Sequence, residues 1–122
     1  MAASVLFVSV TDTFRPAMTL AELETCAERA WALTVAKAVT CDRVVAVDGD
    51  CALGAWRLRG AYPTDERYYH GERPRIALAL GEALPVLRDY HDVPGLRRGC
   101  ATAVVEVEPL ADERVAVGIV NG

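Results

Sequence analysis

The sequence predicts an α+β fold: a small, mostly antiparallel β-barrel with one main capped helix. Three observations lead there. Residues 44–58, VVAVDGDCALGAWRL, are two apolar, β-branched runs joined across Asp48-Gly49-Asp50, and an Asp-Gly pair in that setting is a strong hairpin signal because Gly accepts the positive φ of tight turns. Residues 19–31 carry a helix start of unusual clarity. With the two hairpin arms the apolar runs make five or six short strands in all with no βαβ rhythm, the pattern of an antiparallel barrel or strongly curved sheet with a helix over one opening.

In chain order, residues 4–10 branch and alternate as a strand, apolar on both faces and therefore expected near the sheet centre. Residues 11–17 form a loop in which Pro16 fixes its own φ and pushes Arg15 out of the helical region. Thr19 then caps a helix, Glu22 completes a capping box three residues on, and Met18 with Leu23 suits a hydrophobic staple. Leu20, Leu23, Ala27, Ala30 and Trp31 fall on one helical face, which turns Trp31 inward at the end. Residues 34–42 read equally as a loop or a second helical turn. The hairpin arms span residues 43–47 and 51–61, with Gly54 and Gly60 placed where a bulge or barrel corner fits. Residues 62–75 are a polar connection rich in Arg and Tyr, the kind of loop that carries function. Further strands are expected at 76–84, 101–107 and 114–120, with a short turn or helical piece at 86–90 and a loop at 94–99.

At 122 residues the chain fits one domain, residues 1–122. An apolar share of 52% with 25% charged residues is that of a globular protein and excludes the disordered class. The net charge of −4 counts against non-specific binding to nucleic acid or an anionic membrane, so polyanion recognition requires a local patch. No run reaches the ~20 apolar residues of a membrane span, and the N-terminal stretch, without a basic region and meeting Asp12 early, reads as a strand and not a signal peptide. A cytoplasmic protein without membrane contact is expected. Cys26, Cys41, Cys51 and Cys100 are unclustered and His70 and His91 lie near none of them in sequence, so the expectation is buried, reduced thiols, no metal and no cofactor.

Residues 12–58 resemble a group of small bacterial PUA-like proteins related in outline to the ASCH and EVE domains. The shared outline is an aromatic-Arg-Pro turn, here Phe14-Arg15-Pro16, the Met18-Thr19 helix start with Glu22-Leu23, and Trp31 at the helix end. A strand of the form ALAV-x-x-G follows, here VVAVDGD with Gly49, then an arm similar to VVRAVYRI, here CALGAWRL. The resemblance implies a PUA-like pseudobarrel, and for several members of that class recognition of RNA or of modified DNA bases.

The candidate nucleic-acid-binding residues are Arg15, Trp31, Trp56, Arg57, Arg59, Arg67, Tyr68, Tyr69 and Arg73. A guanidinium at Arg15 offers a bidentate fork to phosphate or base, the plainer alternative being a pair with Glu22 or Asp12. Trp31 and Trp56 suit either a base-stacking wall or the core. Arg57 and Arg59 share a strand face, being two apart. With Arg67, Arg73 and Arg75 beside Tyr62, Tyr68 and Tyr69, they suit the charge-plus-stacking surface that single strands favour, or else a solvated face neutralised by Asp65, Glu66 and Glu72.

Catalysis finds little support. His70 and His91 lack a Ser or Cys partner in any recognised arrangement, Asp89 and Asp92 read as turn residues, and the dispersed glycines form no phosphate cradle. Lys37 is the single lysine, which leaves a hydrolase of ASCH-like type without an obvious base. The reading is a non-enzymatic nucleic-acid recognition module, an extruded or modified base being its ligand, with Arg15, Trp31, Arg57 and Arg59 converging on one cleft. The alternative is a small protein-binding modulator acting through the 62–75 loop and an exposed strand edge.

Overall fold

A computed structural model describes residues 3–67, 70–71, 73–96 and 100–113. Six strands and two helices follow one another as β1 (Ala3–Ser9), α1 (Leu20–Glu28), β2 (Arg29–Trp31), α2 (Val35–Ala38), β3 (Arg43–Asp48), β4 (Cys51–Pro63), β5 (Ile76–Leu84) and β6 (Thr102–Val107). They form one curled, half-barrel sheet in the order β2-β5-β4-β3-β1-β6.

The hairpin forms where the Asp-Gly signal puts it. Arg43 pairs antiparallel with Arg57 and Asp48 with Cys51, and Gly49 takes a φ of 61° in the two-residue turn between them. Register shifts in β4 fall beside both glycines that mark it: between the Ala46–Gly54 and Val47–Ala52 pairs on one side, and between Leu58 and Gly60 on the other. Bulges there add twist and curl the 13-residue strand.

The sheet is mixed, which corrects the antiparallel expectation at its centre. β1 pairs parallel with β3, Val5 opposite Arg43 and Ser9 opposite Val47, and antiparallel with β6 on its other edge. The physical reason is the connection from Ser9 to Arg43. It holds α1, β2 and α2, enough chain to carry β3 back to the starting end and lay it alongside β1 in the same direction.

The α1 start holds to the residue. Thr19 Oγ1 accepts from Glu22 N (3.2 Å), and Glu22 Oε1 accepts from Thr19 N (3.3 Å), the reciprocal capping box. The end differs from the expected Trp31. Arg29 is extended (φ −162°, ψ 159°), and residues 29–31 leave the helix to pair with Ile76 and Ala77 of β5, tertiary pairing overriding local propensity. Leu20, expected on the buried face, is 53% exposed, while Leu23 and Ala27 do face the core. Residues 34–42 resolve into α2, capped by Thr34, whose Oγ1 accepts from Lys37 N (3.2 Å).

Period-two alternation sorts the apolar residues into two layers. Under α1 lie Leu6, Val8, Val44, Ala46, Trp56, Ile76 and Leu78 with Leu23, Ala27 and Trp31. On the opposite face Val5, Phe7, Val45, Val47 and Ala55 are covered by the chain after β5 through Tyr90, Val93 and Leu96. That chain is irregular at 86–90, without the helical piece the sequence allows. The strand expected over 114–120 lies outside the described residues. No helix among the described residues is long and apolar enough to cross a membrane.

Gly54 is required by packing as well as by the bulge. A Cβ there would stand 2.7 Å from Trp56 Cη2 and 3.1 Å from Leu23 Cδ2, both in the layer under α1. Gly54→Ala is therefore expected to cost about 1–3 kcal/mol by overpacking, read as a lowered urea midpoint.

Candidate functional site

The parallel pairing of β1 and β3 sets the carboxyl ends of two adjacent strands side by side. Val10 N donates to Val47 O (3.0 Å) and continues the ladder past the strand end, and Thr11 Oγ1 donates to Asp48 Oδ1 (3.0 Å). Beyond this end opens a cleft of about 410 Å³. Its floor is apolar, with Val47, Val93, Leu96 and Tyr90, and its acidic groups are Asp12, Asp50 and Asp92. Each carboxylate is placed by a turn. Asp12 follows β1, Asp50 is the second residue of the hairpin turn, and Asp92 holds a left-handed φ of 55°, a region Asp tolerates better than most residues.

The far wall is fixed to the hairpin by two polar contacts. Tyr90 N donates to Asp50 O (3.2 Å), and Ala52 N donates to Asp89 Oδ1 (2.9 Å). Outside it, His91 Nδ1 lies 3.0 Å from Asp50 Oδ2. That hydrogen bond and the Asp50 charge, with smaller contributions from Asp89 and Asp92, raise the imidazole above its ordinary value. Among the described residues the charged side chains that line the cleft are carboxylates.

Behind the cleft, and sharing Tyr90 with it, is a buried polar cluster. Arg43, 4% exposed, and Glu113, 2% exposed, pair at 2.7 Å, and Arg43 Nη2 donates to Tyr90 Oη (2.9 Å). Arg88 Nη2 reaches Glu113 Oε2 (3.2 Å) and the Glu108 carbonyl (2.9 Å), with its guanidinium carbon 5.1 Å from the Tyr90 ring centroid. Phe7 meets the same ring edge-on, centroids 4.8 Å apart.

Among the described residues, none of those singled out from the sequence lines the acidic cleft. Trp56 is 1% exposed and Trp31 7% exposed, both in the layer under α1, and Trp31 Nε1 donates to Ala27 O (2.9 Å). The two indoles are core side chains here, the plainer of the two readings the sequence left open. Arg57 and Arg59 do share a face, as their spacing demands. One carboxylate takes both: Glu82 Oε1 accepts from Arg57 Nε and Glu82 Oε2 from Arg59 Nη2, each at 2.7 Å. A hydrogen bond from its own backbone, and then that from Arg57, hold the Glu82 carboxyl below its ordinary value. Arg15 is exposed in the turn before α1, its carbonyl accepting from Met18 N (3.0 Å). It pairs with neither Glu22, which caps α1, nor any other side chain among the described residues. Arg67 and Arg73 are exposed in the connection after β4, and Tyr68 and Tyr69 lie outside the described residues.

The cysteines are free, and the expectation that all four are buried is corrected. Cys41 is buried and Cys26 half-buried, but Cys51 and Cys100 are exposed at the hairpin turn and the cleft. Burial pushes the Cys41 thiol up. Among the described residues no group of three or more His, Cys, Asp and Glu is placed to hold a metal ion.

Sequence reasoning missed the cleft and the cluster behind it. Asp50 and Asp92 registered only as turn residues, and which turns meet at one end of a sheet depends on strand direction. Arg43 carried a usable signal. It stands two and four residues before Val45 and Val47, so a strand burying those two buries Arg43 as well. No family model, no curated protein and no solved structure matches this chain.

Proposed function

We propose that the chain is a non-enzymatic binding module whose acidic cleft receives a basic side chain of a partner protein. The observation that supports this is the lining: three carboxylates around an apolar floor, in a concavity large enough for a lysine or arginine and its stem. The stem packs on Val47, Val93 and Leu96, and the head meets Asp12, Asp50 and Asp92. The net charge of −4 adds long-range attraction for such a partner.

The second reading is a PUA-like pseudobarrel that recognises nucleic acid through Arg15, Arg57, Arg59, Arg67 and Arg73 with Tyr68 and Tyr69. Its support is the curled sheet and the exposure of Arg59, Arg67 and Arg73 on and beside one loop. Weighing against it are the burial of both tryptophans and the engagement of Arg57 and Arg59 with Glu82, which offsets one of their two charges. One titration series separates the two. An amidated, arginine-containing peptide and single-stranded, duplex and base-modified oligonucleotides are titrated at several salt concentrations. Peptide binding weakened by Asp50→Asn and Asp92→Asn supports the first reading. Oligonucleotide binding tighter than about 100 μM at low salt, weakened by Arg59→Ala, supports the second.

The cleft reading also fixes a pH dependence. Below the raised pKa of His91 the imidazolium sits on Asp50 and offsets its charge, and above it Asp50 is released to the ligand. Peptide affinity is expected to rise as pH increases through that pKa, above the ordinary imidazole value near 6.5, and His91→Asn is expected to flatten the profile. Stability runs the other way. A group whose folded pKa is raised contributes most below its unfolded value and loses that contribution as pH rises through the folded one, so the His91 contribution fades over the same interval.

A further inference from the structure

Two guanidinium groups and a phenol converge on one carboxylate inside this protein. Arg43 and Arg88 both reach Glu113 Oε2, and Tyr90 Oη accepts from Arg43. Two features set the arrangement apart from an ordinary ion pair. Among the described residues the cluster holds two cations against one anion, and Nε of Arg43 and Nε of Arg88 are both buried with no hydrogen-bond partner. Its basic groups therefore offer more donors and more charge than Glu113 takes up. They are also organised independently of Glu113. Arg43 is fixed by its place in β3 opposite Arg57, and Tyr90 by Phe7 and by its backbone bond to Asp50. Arg88 is fixed by the Tyr90 ring and by the Glu108 carbonyl. Glu113, by contrast, arrives on the segment after β6, in the short helical turn of residues 111–113.

We propose that Arg43, Arg88 and Tyr90 form a carboxylate-binding site that the chain fills with its own Glu113 as a tethered, replaceable ligand. The site is distinct in charge from the acidic cleft and stands whether or not the cleft binds a basic group. It takes a carboxylate, whose planar, two-oxygen acceptor matches the guanidinium fork; with Glu113 in place only about 10 Å³ is left beside Pro85, Val86 and Leu87, so an incoming acid must take the volume of the Glu113 side chain.

The test is replacement of the tethered ligand by a free one. Glu113→Ala removes a methylene and a carboxylate, which acetate supplies as separate atoms. Thermal unfolding of the full-length variant is followed in sodium acetate, and in sodium chloride and acetamide at matched ionic strength. The expected result is a lowered Tm that acetate raises saturably by several degrees, while acetamide and chloride leave it unchanged. A further Arg88→Met substitution is expected to reduce the acetate response at least tenfold in apparent affinity. If Glu113→Ala does not fold alone, refolding yield is the readout, expected to recover in acetate and not in acetamide. Acetate performing no better than its controls, or a response insensitive to Arg88→Met, overturns the proposal.

Discussion

Trp56→Ala is expected to destabilise the protein by about 3–5 kcal/mol, measured by urea unfolding at 25 °C. The indole is 1% exposed at the centre of the layer under α1, with Leu23 above it and Gly54 below. β4 is held by β3 on one edge and β5 on the other, and Gly54 has no side chain to offer. The loss combines the transfer of a large aromatic with the cavity left behind. It also disqualifies a simple binding assay on this variant, since weakened binding would report a weakened fold. Trp56→Phe, which keeps much of the volume, is expected to retain most of the stability and is the better variant for binding work.

Arg43→Met is expected to cost a similar amount, about 3–5 kcal/mol, for a different reason. The substituted side chain is apolar and of similar length, so packing changes little. What changes is that Glu113, 2% exposed, keeps only the longer 3.2 Å contact to Arg88, and Tyr90 Oη loses its donor. A buried carboxylate stripped of its nearest cation carries most of the penalty. Joining Arg43→Met to Glu113→Leu removes both charges, and the double variant is expected to recover much of the loss. A double-mutant cycle on the two positions therefore measures a coupling well above the ~0.3–0.5 kcal/mol within which independent sites add. The Glu82 pair gives the internal contrast. Arg59 and Glu82 are both exposed, and truncating Arg59 is expected to change stability by less than about 1 kcal/mol.

The features legible in the sequence are those decided within a few residues of one another. The Thr19–Glu22 capping box and the turn at Gly49 are local hydrogen-bonding and φ requirements, and both appear as expected. So does the common face of Arg57 and Arg59, which needs only strand periodicity. The carboxylate that both arginines bind was not legible, because Glu82 enters through the register of β5 on β4. Strand direction was not legible either: alternation is the same for a parallel and an antiparallel neighbour, so β1 could be read as a strand flanked on both sides, next to the edge strand β6 as it proves, but not oriented. The acidic cleft is a direct product of that orientation. The end of α1 comes three residues before Trp31 for a related reason, since residues 29–31 are drawn out of helical geometry by the edge of β5. For Trp31 and Trp56 the sequence left core and stacking wall both open, and burial decides for the core.

The position of β1 also bears on how this chain comes to be folded during synthesis. Of the six strands, β1 is made before the others and ends up between β3 and β6, with Val5 opposite Arg43 on one side and Val105 on the other. On the ribosome its unpaired backbone edges wait, one until residues 43–47 emerge and the other until residues 102–107 do. The hairpin of β3 and β4 can form early, being local, but its partner on the β1 side must be drawn in from a distance, and the last seam joins residues a hundred positions apart in sequence. Contacts of that separation slow folding and prolong the exposure of unpaired strand edges. Vectorial synthesis thus delivers β1 well before either strand that flanks it, and the time between is when the nascent chain depends most on protection from its neighbours.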